Sequence, residues 1–276
     1  MIRIVTDSTC DLTPDQANQI GIAAIAALYV RFGEDQYQDG ITIDRQKFHE
    51  LVKTHPSFPT TSQPSVGDFA KIYEQYKGDE IISIHISREL SGTIASAEAA
   101  RDLVGANVTI IDSRNVNAGL ALLVIEACRL AKSGATVEQI KAQIETLVPR
   151  TRLIFAVETL ENLRRGGRIG GAQAFLGSML QFKPVITIKA GRVEPLERVR
   201  TMPKAIARLK ELAAQDLNGQ PYRRVCFMHA AAPSAAENLK NALASEVKLD
   251  EALVIEAGPV IATHSGPGAV GIAYIA

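Results

Sequence analysis

A chain of 276 residues with 30 basic and 30 acidic side chains carries no formal net charge. That removes the global pull that nucleic-acid and anionic-membrane binders rely on, though it still allows a local basic patch. An apolar fraction of 46% excludes a disordered chain, and the length suffices for one large or two modest domains.

The N-terminal MIRIVTDSTC enters a strand at once, over residues 2–6, without the basic and apolar regions of a signal peptide. A turn follows, then a helix opening at Pro14 with Thr13 as its N-cap. The apolar run over 20–30 stops at Arg31; it is too short to span a bilayer and reads as buried core. Ser65 and Asp68 form a capping box for a helix running to Tyr76. Residues 80–86 and 108–112 are β-branched runs, expected as strands, with a helix over 92–104 between them. Residues 117–132 are apolar nearly all round, which suits a helix buried between layers, and 137–147 is amphipathic. This alternation predicts an α/β fold with a largely parallel sheet.

The texture changes after Pro149, so a boundary is expected there, dividing the chain into 1–150 and 151–276. A strand over 153–157 leads into a glycine-rich basic loop. PVITI and VEPLERV, separated by Lys189-Ala190-Gly191-Arg192, predict a hairpin. A helix over 202–215, a strand over 224–230, a helix over 233–244 and a strand over 252–258 complete an α+β pattern.

The three cysteines, Cys10, Cys128 and Cys226, stand singly, so neither a zinc site nor a disulfide framework is expected. Several polar clusters carry more chemistry. Thr60, Thr61 and Ser62 stand upstream of the helix that Ser65 caps, where hydroxyls and free backbone N–H groups suit an anion. Leu90-Ser91-Gly92-Thr93 joins a strand to a helix N-terminus, where α/β folds place ligands; Ser91 also serves as a plain N-cap. The loop 163–171 holds Arg164, Arg165 and Arg168 among four glycines. Arginine pairs bidentately with carboxylate or phosphate, whereas a solvated basic turn is the plainer reading. Residues 266–271 match G-x-G-x-x-G, but the acidic residue expected about 20 positions on is missing, so the dinucleotide reading is rejected. His264, just before it, sits in a Thr-His-Ser-Gly-Pro-Gly loop, either structural or facing an anion. Asp7 and Asp11 have the wrong spacing for a phosphatase pair and are explained by turn capping. No nucleophile–base–metal constellation emerges.

Read in order, IVTDSTCDL, TTSQPS, ISRELSGTIASA, LRRGGRIG, KPVITIKAGRV, RVRTMPKAI and GPVIATHSGPGAVG resemble the DegV family, the fatty acid-binding subunits of the bacterial fatty acid kinase system, over essentially the whole chain. The resemblance implies two α/β domains with a long-chain fatty acid buried between them. It implies a carboxylate held by Thr61 and Ser91, with Ser62 nearby and with Arg168 and His264 as further candidates. A partner kinase would phosphorylate that carboxylate, giving acyl phosphate for phospholipid synthesis. The chain itself is then expected to be a cytoplasmic, non-catalytic protein without cofactor, metal, nucleic-acid or integral membrane association. Arg198, Arg200 and Lys204 form a basic surface expected to dock the kinase. The competing expectation is a stand-alone phosphotransferase acting on a small polar substrate. A regulator or scaffold is disfavoured by neutral charge and the lack of a helix-turn-helix pattern.

Overall fold

Period-two alternation builds two sheets whose faces are both covered. In the computed structural model, which describes residues 1–178 and 182–276, the strands Ala24–Ala26, Ile2–Asp7, Glu80–His85 and Val108–Asp112 lie side by side in that order, all parallel. Ile4, Ile82 and Ile84 point to one face, Val5 and Ile81 to the other. The latter pack on Phe69 and Tyr73 of the helix Val66–Gln75 and on Ala97 and Ala100 of the helix Thr93–Val104.

The second sheet has six strands in the order Arg192–Val199, Lys183–Lys189, Thr151–Ala156, Val270–Ile275, Arg224–His229, Glu251–Glu256. The last two are parallel, joined by the helix Pro233–Ala244, and the other neighbours are antiparallel. The strand that comes last in sequence, Val270–Ile275, therefore lies in the interior of the sheet. Ile154, Phe227 and Ile272 face the helices Met202–Leu217 and Pro233–Ala244, while Phe155 and Met228 face the first sheet. The hairpin turns at Ala190 and Gly191, both at positive φ (50° and 81°), as a two-residue type I′ turn demands.

Between the sheets runs the helix Asn117–Lys132, touching Ile2–Asp7 and Glu80–His85 on one side and Thr151–Ala156, Arg224–His229 and Val270–Ile275 on the other. Its all-round apolar surface has that cause: Leu120, Leu122, Leu123 and Val124 are fully buried. Each such side chain contributes about 1.5–3 kcal/mol on leaving water. The expected boundary near residue 150 falls between the two sheets, yet this helix belongs to a core common to both.

The apolar run over 20–30 does not form one element. It supplies the edge strand Ala24–Ala26 and then Tyr29–Phe32, the centre of a small antiparallel sheet with Asp35–Gln38 and Thr60–Ser62. The hydroxyl run is thus a strand, because β-branched threonines suit an extended edge. Leu28 and Val30 pack on Val260 and Ala262 of the helix Pro259–Ser265. Thr13 is the N-cap expected of it and also closes a capping box with Gln16, and Ser65 closes the capping box expected with Asp68.

Candidate functional site

A cavity lies where the two large sheets, the small sheet and the helix Pro259–Ser265 meet. It encloses about 750 Å³ of unfilled space, a figure that includes open solvent at its mouth. Its walls are apolar, with Leu28, Phe155, Leu163, Ile188 and Met228 among them. The helix presents Val260, Ile261, His264 and Ser265 to it, positions spaced to share one helical face.

Thr61, Ser62, Ser91, Arg168 and His264 all line this cavity. Residues 203 positions apart meet directly: Thr61 Oγ1 lies 2.8 Å from His264 Nε2. Arg168 donates from Nε to the Leu90 carbonyl (3.1 Å) and from Nη1 to the Gly166 carbonyl (2.8 Å), which holds its guanidinium beside Ser91. Ser91 does not occupy the N-cap position, which falls to Gly92; its Oγ accepts from the Thr93 N–H (3.3 Å) and lies 2.8 Å from Thr93 Oγ1. The Gln63 amide packs against Gly92, where an added Cβ would meet it at 2.8 Å, so the two hydroxyl motifs adjoin.

Burial, then the positive charge of Arg168, pushes the His264 imidazole down to about 4, so the ring is neutral at pH 7. Its Nδ1 is buried without a hydrogen-bond partner among the described residues. An unused lone pair there is less costly than an unpaired N–H, which assigns the proton to Nε2. Thr61 then accepts from His264 and keeps its own hydroxyl proton for a ligand. Gly166 closes the back of the ring: its φ of a right-handed helix end is open to any residue, but a Cβ would stand 2.1 Å from His264 Nδ1. With His264 neutral, Arg168 supplies the positive charge, and the hydroxyls supply donors suited to a small anion such as a carboxylate.

The other arginines of the loop behave as a solvated turn. Arg164 and Arg165 pair with Glu161 (both 2.7 Å), and Arg165 stacks on Phe58. The glycine motif at 266–271 runs from helix into strand, the reverse of a dinucleotide fold, which agrees with its rejection. Arg198, Arg200 and Lys204 are exposed near the junction of the strand Arg192–Val199 and the helix Met202–Leu217. Arg198 is committed locally, donating to the Ala174 carbonyl (3.2 Å) and lying 4.5 Å over the Phe175 ring.

Two buried polar networks escaped sequence reading. Asp7 accepts from the Ile86 N–H (2.9 Å) and pairs with His85 Nδ1 (3.0 Å); His85 Nε2 meets Ser83 Oγ (2.6 Å), which meets the Tyr73 hydroxyl (2.9 Å). All four residues are sealed from solvent, so the chain fixes the strand end that delivers Ile86 to the cavity. Its signal was the pair of polar residues on one face of an otherwise apolar strand. Asp11 and Asp39 converge on Gly258, where an added Cβ would stand 2.7 Å and 3.2 Å from their Oδ1 atoms. Burial pushes Asp39 up to about 7; burial and then the charge of Asp39 push Asp11 well up.

Among the described residues, no group of three or more His, Cys, Asp or Glu is placed to hold a metal ion. No helix among them is long and apolar enough to cross a membrane.

A sequence model whose description reads "Uncharacterised protein, DegV family" matches residues 1–276. A DegV domain-containing protein of Deinococcus radiodurans is 39% identical over 274 residues, covering 99% of this chain and 97% of its own. Among solved structures, a DegV family protein from Thermus thermophilus described for fatty acid binding superposes with a TM-score of 0.94 at 39% identity, covering 100% of this chain and 99% of its own. A stearic acid-binding protein from Eubacterium ventriosum does so with a TM-score of 0.92 at 30% identity, covering 100% and 98%. The parallel sheet, the shared helix and the motif order are those of one family, and the chain belongs to it: it is a member of the DegV family.

Proposed function

We propose that the cavity takes a long-chain fatty acid, lying between an N-terminal lobe of residues 1–150 and a C-terminal lobe of residues 151–276. The carboxylate is held by Thr61, Ser62, Ser91, Arg168 and His264. The observation that carries this reading is the pairing of an apolar cavity with a neutral His264–Thr61 couple and the Arg168 charge. The Thermus thermophilus and Eubacterium ventriosum relatives, described as binding fatty acid and stearic acid, support it. A chain of about 14 methylenes gains on the order of 11 kcal/mol on burial before ordering costs. The buried carboxylate needs several donors to offset its desolvation, and hydroxyls provide them while leaving an oxygen free to react. In this reading the chain performs no chemistry of its own and uses no cofactor. It works in the cytoplasm, presenting the carboxylate to a fatty acid kinase subunit for acyl-phosphate formation and phospholipid synthesis.

Native mass spectrometry of protein taken from cells tests the first half: a bound species of fatty-acid mass is expected, and its absence after acyl feeding counts against the cavity assignment. For the second half, the purified chain is incubated with ATP and fatty acid. Acyl phosphate is expected only when the kinase is added; turnover by the chain alone would favour the phosphotransferase.

A further inference from the structure

Two amides line the cavity: Gln63, which packs against Gly92, and Asn117. Asn117 opens the helix Asn117–Lys132, is 1% exposed, and lines the cavity. Its orientation is fixed from behind: Nδ2 donates to Asp11 Oδ2 at 2.5 Å, while the other Asp11 oxygen accepts from the Gly258 N–H at 2.9 Å. Asn117 Oδ1 is left buried and accepts no hydrogen bond from the described residues. The backbone reinforces this placement, since Asn117 sits at φ 49°, in the left-handed region that asparagine tolerates better than most side chains. A leucine there would fill an apolar wall without the conformational cost of positive φ being met by a polar contact.

A buried acceptor with no donor is a standing penalty, and a ligand that brings a donor relieves it. Resting on the fatty-acid reading above, we propose that Asn117 makes the cavity select acyl chains that carry a hydroxyl near mid-chain over plain chains of the same length. The position follows from the helix Pro259–Ser265, which forms one wall. Asn117 is tied through Asp11 to Gly258, at the N-terminal end of that helix, whereas His264 marks the carboxylate end. Six helical residues separate the two, about 9 Å. An extended chain advances about 1.2 Å per bond, so the amide meets the chain about seven to nine carbons from the carboxyl.

Delipidated full-length protein is titrated with stearic acid, with positional isomers of hydroxystearic acid, and with the oxostearic acid substituted at the position that binds best. One mid-chain hydroxy isomer is expected to bind about 5- to 10-fold more tightly than stearic acid, the worth of one neutral hydrogen bond. The ketone, which offers a second acceptor to Oδ1, is expected to bind more weakly than stearic acid. Asn117→Gly keeps the left-handed backbone and should erase the difference between hydroxy and plain chains. The wild-type comparison stands even where that variant fails to fold. Stearic acid binding as tightly as every hydroxy isomer, or the ketone binding as well as the alcohol, overturns the selectivity while leaving the fatty-acid reading intact. Binding of none of these acids overturns both.

Discussion

Two neighbouring glycines separate space from backbone strain and so test the role of His264. At Gly166 the backbone is ordinary but a methyl group would stand 2.1 Å from His264 Nδ1 and 2.6 Å from Cε1. At Gly167 nothing lies within 4 Å, but φ is +69°. Gly166→Ala must displace the imidazole by about an ångström or more, because Cβ contacts below 3.0 Å are essentially never tolerated. The Thr61–His264 contact at 2.8 Å cannot survive that movement. Repacking should cost about 1–3 kcal/mol of stability. Loss of the positioned donor to a carboxylate should cost about 1.5–3 kcal/mol of binding, or about 10- to 100-fold in Kd. Gly167→Ala should cost about 1 kcal/mol of stability through the left-handed backbone alone and leave affinity unchanged. Calorimetric titration of the delipidated proteins with stearic acid, beside their thermal melts, reads both quantities. If Gly166→Ala folds and binds as the wild type does, or if the two variants lose affinity equally, His264 does not hold the ligand.

Thr61→Ala and Ser91→Ala should each weaken acyl binding by about 1.5–3 kcal/mol; wild-type affinity in the double variant would remove both from the site. Asp39 holds its proton up to about 7 in the fold against an ordinary 3.8. The stability this proton carries is fully present below about pH 4 and is lost as pH rises through 7. Asp39→Asn should therefore flatten the urea-denaturation profile between pH 4 and 8 and exceed the wild type at pH 8, by at most about 4 kcal/mol; an unchanged slope would assign the pH dependence elsewhere. Arg200→Glu should leave acyl binding intact and reduce acyl-phosphate formation with the kinase, an effect that salt should mimic in the wild type. Lost acyl binding would place Arg200 in the pocket or the fold, and full kinase activity at low and high salt would move the docking surface.

Much of this molecule can be read from local pattern because its elements follow it. The capping boxes at Thr13 and Ser65, the all-round apolar helix Asn117–Lys132 and the Ala190-Gly191 turn each obey rules that act within a few residues. The candidate residues were legible as hydroxyl, arginine and histidine clusters, but not their partnerships. Thr61 meets His264, and Asp11 meets Asn117 and Gly258, only because separate sheets converge. Burial decides the rest: Asp7 and Asp11 read as turn-capping residues in sequence, and nothing local shows that both are buried. That Thr60–Ser62 forms a strand is not legible locally, because its pairing partner, Tyr29–Arg31, lies about 30 residues upstream.

The place of Val270–Ile275 inside the six-stranded sheet sets an order on how a ribosome can deliver this fold. Until those residues emerge, Thr151–Ala156 and Arg224–His229 each present an unpaired flank, and nothing joins the two parts of the sheet. Nascent chain is then exposed to edge-to-edge association for the whole of its synthesis beyond residue 229. A chain stopped short of residue 270 would keep both flanks permanently, so loss of the seven residues 270–276 should be felt as aggregation of the whole protein.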